Sequence, residues 1–182
     1  MTDQHLFDFA RSALLFTRTL REIIHHLKYS DRVSLANRLG DILKECLDRE
    51  PFTGELVIPV PLHPSRERSR GFNQAELIAA RLGRPVAARL LRRRKNTPSQ
   101  TGLSRNERKR NLAGAFEVRG EIKGTIIIVD DVYTTGATMN EIARTLKRAG
   151  AGRVEVLTVA RVANNIYPAD AMGAAAGESI TQ

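Results

Sequence analysis

The sequence predicts an α/β domain with a mainly parallel central sheet flanked by helices. Three observations carry that reading. ELVIPV (55–60) and TIIIV (125–129) are short apolar runs rich in β-branched residues, and turn-forming residues such as Gly54, Pro61 and Gly124 bound them, as expected of buried strands. Segments of helical periodicity lie between such runs, and that alternation favours parallel pairing. RVEVLTVAR (153–161) then alternates into a last strand after Gly150.

Residues 6–28 and 31–48 both carry helical spacing. In the second, Leu35, Leu39, Ile42 and Cys46, with Leu43 and Leu47, form one stripe, and Ser30 or Asp31 serves as N-cap. The spacing predicts a helix over 72–82 stopped by Gly83, and a strand over 85–91. A short strand is expected at 115–118. Met139–Arg148 is read as a helix with Met139, Ile142, Ala143, Leu146 and Ala149 on one side. Residues 92–111 (RRRKNTPSQTGLSRNERKRN) are polar and basic, without a core pattern, as in a functional loop or a disordered one. The expected division is a helical hood region at 1–50, a core at 51–162 and a flexible Ala/Gly-rich tail at 163–182.

A chain of 182 residues suits one domain with room for a real core. The net charge of +9 comes from the middle: residues 51–120 hold fifteen bases against five acids. Such a balance suggests nucleic acid, yet Trp is absent and aromatic platforms are scarce, so a compact diphosphate fits equally well. No apolar run approaches the ~20 residues of a membrane span. Asp3, Asp8 and Arg11 interrupt the first apolar stretch, which therefore does not read as a signal peptide. Cys46 is the one cysteine. A cytoplasmic chain without a cysteine-built zinc site is the expectation.

The most informative stretch is IIIVDDVYTTGAT (126–138). It runs from a strand into a helix, where open α/β sheets bind ligands. The amides of Thr134, Thr135, Gly136, Ala137 and Thr138 would stand at a helix N-terminus and favour an anion. Gly136 permits close approach, and the threonine hydroxyls add donors. No GxxxxGK[ST] pattern occurs, so a nucleotide P-loop is not expected. Asp130 and Asp131 would repel a phosphate but accept well from a vicinal diol. Phosphate at one end and a diol beside it describe a ribose 5-phosphate. The same carboxylates would lie near a Mg²⁺ that takes most of its ligands from phosphates and hydroxyls.

This stretch resembles the 5-phosphoribosyl-1-pyrophosphate (PRPP) signature of type I phosphoribosyltransferases. PVPLHPSRERSRGFNQAELIA (59–79) and TPSQTGLSRNERKRNLAGAFEV (97–118), ahead of VDDVYTTGAT, narrow the likeness to the competence protein F (ComF) family, over about residues 15–162. Members commonly begin with a four-cysteine zinc-ribbon-like segment, which this sequence lacks. Hypoxanthine-type relatives place an acid where Thr134 stands. The resemblance implies the type I phosphoribosyltransferase fold with a small N-terminal helical hood. It also implies transfer of a phosphoribosyl group from PRPP to an unidentified nitrogen acceptor, with Mg²⁺, and a link to DNA uptake or use.

The resemblance further implies a pyrophosphate loop at 62–71, with Arg66, Arg68 and Arg70 at alternate positions. Arginine forks match phosphate oxygens, although a solvated basic loop is the plain alternative. Residues 92–111 would be a flap. Lys95 and Lys109 would meet the pyrophosphate, and Arg105 and Arg108 would offset charge on the leaving group. A nucleic-acid-binding arm competes with that view. His63 is read as a packed or capping residue and Cys46 as a small buried hydrophobe. His25, His26 and Tyr29 are the unusual polar features of the hood, which would choose the acceptor. Two readings follow: an enzyme, or a non-catalytic PRPP- or nucleotide-binding module with DNA-handling partners. A homodimer is compatible with both.

Overall fold

The computed structural model describes residues 5–29, 32–96 and 111–162. Its elements in chain order are β1 (Phe9–Leu15), α1 (Arg18–Tyr29), α2 (Ser34–Arg49), β2 (Leu56–Pro59), α3 (Pro64–Arg70) and α4 (Gln74–Ala79). They continue with β3 (Leu91–Arg93), β4 (Phe116–Val118), β5 (Thr125–Tyr133), α5 (Ala137–Arg148) and β6 (Arg153–Arg161). Four strands form a wholly parallel sheet in the order β1-β6-β5-β2, and β3 pairs with β4 as a separate antiparallel ribbon.

Alternation along β5 explains why TIIIV carries no polar residue among its last four positions. Ile126 and Ile128 face one core with Ile58, Val154 and Val156, under Met139, Ile142 and Leu146 of α5. Ile127 and Val129 face a second core with Val57, Leu157 and Val159, under Leu27, Leu43 and Ile78 of the helices on that side. A strand covered on both faces must be apolar at every position. Gly54 belongs to the same packing, because a Cβ there would overlap Ile127. At the other end of β6, fully buried Glu155 accepts from the amides of Thr53 and Gly54 at 3.0 Å and from Thr53 Oγ1 at 2.9 Å. That clamp fixes the chain entering β2.

Three expectations need correction. Residues 6–28 are not one helix: Phe9–Leu15 is an edge strand in parallel register with β6, Phe9 opposite Glu155. Ala10 packs into one core and Phe9 and Ala13 into the other, so the apolar residues of this strand, broken by Arg11 and Ser12, show no alternation that would separate it from a helix. The hood region therefore contributes a strand to the sheet, and α2 lies on the sheet face against α4. The strand expected over 85–91 reduces to a bridge between Val86 and Val57, with β3 starting at Leu91. Residues 62–71 are mostly not a loop. His63 caps α3 by accepting from the Ser65 amide, Pro64 opens the helix, and Gly71 closes it at φ 82°.

Candidate functional site

β5 extends to Tyr133, so Asp130 and Asp131 stand on the last residues of the strand, paired toward β6 (Asp130 opposite Thr158). Each carboxylate accepts from the next amide at 2.9 Å: Asp130 Oδ1 from Asp131 N–H, Asp131 Oδ1 from Val132 N–H. These bonds hold both side chains at the strand end rather than leaving them to swing. Thr134 is exposed, Thr135 and Thr138 are half-buried, and Gly136 is buried at φ 74° as the residue before α5. The first bond of α5 runs from the Asn140 amide to the Gly136 carbonyl at 2.8 Å, so the amides ahead of Asn140 have no intrahelical partner. That is the geometry of an anion site. Gly136 is required twice over: for its positive φ, and because a Cβ would overlap the ring of Tyr133, which lies beneath the loop.

The two carboxylates differ. Asp131 is 6% exposed at its side chain and forms an ion pair with Lys28 of α1. Among the described residues Asp130 forms no close ion pair of its own, and burial together with the neighbouring Asp131 charge pushes its pKa well above the ordinary carboxylate range, with Lys28 pulling the other way. Two adjacent carboxyls at one strand end thus divide into a neutralised one and one that holds its proton more tightly.

The arginines gather only in part. Arg66 and Arg70 share a face of α3, four residues apart, whereas Arg68 is exposed and turned away. Arg70 donates to Gln74 Oε1 at 2.6 Å and lies over Tyr29, 5.3 Å from the ring centre. Lys95 crosses the base of the ribbon to donate to the Ala113 carbonyl at 2.6 Å, holding its two limbs together. Arg105, Arg108 and Lys109 lie outside the described residues. His63 is a cap, as expected, and Cys46 is half-buried on the α2 stripe, its thiol pushed up chiefly by burial.

Two contributors were not singled out from the sequence. Arg93, on β3, packs over Phe116 at 5.6 Å. Burial and then the charge of Arg66 lower its pKa while Asp130 raises it, which places Arg66, Arg93 and Asp130 in one electrostatic neighbourhood. Lys28 is the other. Nothing in a run of eight basic residues (92–110) distinguishes Arg93, and only the fold brings Lys28 to Asp131 across a hundred residues of chain. Among the described residues no group of three or more His, Cys, Asp or Glu side chains converges as a metal cage, and no helix is long and apolar enough to cross a membrane.

A family model described as the phosphoribosyl transferase domain matches residues 68–172 of this chain. The chain belongs to the phosphoribosyl transferase family. Within it, DNA utilization protein YhgH of Escherichia coli O6:H1 is 40% identical over 152 residues, covering 78% of this phosphoribosyl transferase chain and 67% of the relative. Competence protein F of Haemophilus influenzae is 39% identical over 115 residues, 59% of this chain and 50% of that one. Competence protein ComFC of Bacillus subtilis is 30% identical over 154 residues, 83% and 63%. The ComF likeness read from RGFNQ and VDDVYTTGAT is therefore shown, and the chain spans about two thirds or less of these relatives. Among solved structures, the purine phosphoribosyltransferase from Pyrococcus horikoshii superposes with a TM-score of 0.42 at 17% identity, covering 70% of this chain and 81% of that one.

Proposed function

We propose that the chain binds PRPP at the end of β5 and passes its phosphoribosyl group to a nitrogen acceptor. The observation that carries this reading is the union, within nine residues, of an anion-binding turn at Gly136 and a carboxyl, Asp130, fixed at the end of the same strand by its bond to the Asp131 amide. Amides and hydroxyls of Thr134–Thr138 receive the 5-phosphate, and Asp130 accepts from the ribose diol. Arg66 and Arg93 face the pyrophosphate, and Arg70 extends that face. In the transfer, the acceptor nitrogen's lone pair forms a bond to C1 of the ribose while the bond from C1 to the pyrophosphate oxygen breaks. Its electron pair leaves with pyrophosphate, and the acceptor gives up its proton. Fixed guanidinium groups stabilise the charge that develops on the leaving group.

The donor set fits a Mg²⁺ held mainly by the ligand. Only two carboxylates are at hand, and Lys28 occupies one of them, which suits an ion that keeps its waters and takes phosphate oxygens. Asp130 would meet it directly or through water, with Asp131 behind. Such an ion supplies charge neutralisation at the pyrophosphate.

A second reading keeps the pocket and drops the turnover. Thr134 is exposed and carries no acid to act on a base, which favours a PRPP- or nucleotide-binding module. Either version would work beside DNA-handling proteins, a link that the relatives' names support, and in this proposal it does so in the cytoplasm, alone or as a homodimer. Calorimetry of PRPP with and without Mg²⁺, followed by pyrophosphate release with a panel of bases and ammonia, separates the two. Binding with turnover supports the transferase, binding without turnover across the panel supports the module, and no PRPP binding sinks both.

A further inference from the structure

Glu141 is a buried carboxylate that the proposed transfer does not use. It stands on α5 just beyond the anion turn at Gly136, with its side chain 9% exposed. Its Oε1 accepts from the Gly114 amide at 2.7 Å, and its other oxygen pairs with half-buried Arg144. A carboxylate taken out of water is costly unless partners of this kind hold it. The preceding residue, Asn140, accepts from the Leu6 amide through Oδ1 at 2.8 Å. Two successive side chains thus tie the start of α5 to two separate segments of chain, and Gly114 belongs to the one that enters β4.

The corner held by Glu141 is also the corner that carries Arg93. After Gly114 comes Ala115, whose carbonyl accepts from the Arg94 amide at 2.8 Å, and then Phe116, which pairs in register with Arg93. The Arg93 guanidinium lies over the Phe116 ring. Ala115 and Phe116 are buried in the same core as Met139 and Ile142 of α5. Apolar packing of that kind is non-directional, whereas a hydrogen bond from a backbone amide to a carboxylate fixes position along the helix.

We infer that Glu141 is a positioning residue that sets the spacing between the two anion grips of the site, the turn at Gly136 and Arg93. The inference rests on reading the end of β5 as a PRPP site and adds how its two grips are kept in step. A ligand with an anionic group at each end gains from the second grip only when both can engage at once. A shift of about 1 Å is enough to forfeit much of that gain. Ribose 5-phosphate has one anionic end and does not sense the spacing.

Calorimetry on the full chain with Mg²⁺, using PRPP and ribose 5-phosphate, tests it. E141A should lose roughly five- to tenfold in PRPP affinity with ribose 5-phosphate unchanged, which also shows that the variant is folded. E141Q keeps an acceptor for the Gly114 amide and should restore most of the PRPP affinity. Placed in an R93M background, E141A should cost little further, because both changes disable the same grip. An E141A variant that binds PRPP like the wild type, equal losses for both ligands, E141Q as weak as E141A, or a full further loss in the R93M background would each overturn the inference while leaving the PRPP site standing. A wild-type chain that does not bind PRPP would overturn both.

Discussion

Replacing Asp130 by Asn should stabilise the ligand-free protein while weakening its hold on PRPP. The folded protein binds the Asp130 proton more tightly than the unfolded chain does, because burial and the Asp131 charge raise its pKa. Its contribution therefore favours folding at low pH and is lost as pH rises from the ordinary value of 3.8 through the raised one. At neutral pH the ionised carboxyl is a net cost. Removing that charge should raise stability at pH 7.5 by a margin of the ~1 kcal/mol order typical of single substitutions. For a chain of this size that is roughly 2–4 °C in Tm. Asn keeps an oxygen for the Asp131 amide, so the bond at 2.9 Å survives and the turn is preserved. Losing a charged acceptor for the diol should cost PRPP about ten- to a hundredfold in affinity. Thermal melts at pH 4 and pH 7.5, with calorimetry at pH 7.5, check both halves. A Tm that falls at pH 7.5, or an unchanged PRPP affinity, would refute the reasoning.

Other outcomes follow from the same geometry. Arg93→Met should weaken PRPP by about tenfold and ribose 5-phosphate far less, since the proposed function sets this side chain against the pyrophosphate; equal losses measured by calorimetry would place it elsewhere. Gly136→Ala combines a strained φ with overlap against Tyr133, costing about 1–3 kcal/mol in a urea melt and abolishing phosphate binding in an isotherm with ribose 5-phosphate. Glu155→Gln leaves the fully buried clamp on Thr53 and Gly54 short of acceptors and should destabilise by about 2–4 kcal/mol, with PRPP affinity of the folded fraction unchanged.

What could be read in advance depended on whether the signal was local. β5 was legible because burial on both faces imposes an unbroken apolar run, β6 because its apolar residues recur between turn signals, and α5 because its apolar spacing follows a turn whose glycine and threonines are adjacent in sequence. β1 was misread because it is short, is interrupted by Arg11 and Ser12, and sends Ala10 and Ala13 to different cores, while Leu6, Phe7, Phe9 and Ala10 also satisfy helical spacing. Residues 64–70 look like a basic loop until His63 and Gly71 are recognised as its two caps. The partners of Asp131 and Asp130 were not legible at all. Lys28 and Arg93 reach them through tertiary packing, and neither has a neighbour in sequence that marks it.

The unequal anchoring of the two sides of the site has a consequence for how such proteins diversify. β5 is wedged between two cores, so nearly any change along Ile126–Val129 disturbs both and would be removed by selection. Helix α1 rests on Leu20, Ile24 and Leu27, while His25, His26 and Tyr29 point to solvent around the Lys28 contact. His25 and His26 can drift without disturbing β5, whereas Tyr29 also carries Arg70 on its ring. On the proposed function, lineages descended from one ancestor would keep the same donor and come to differ in what they join to it.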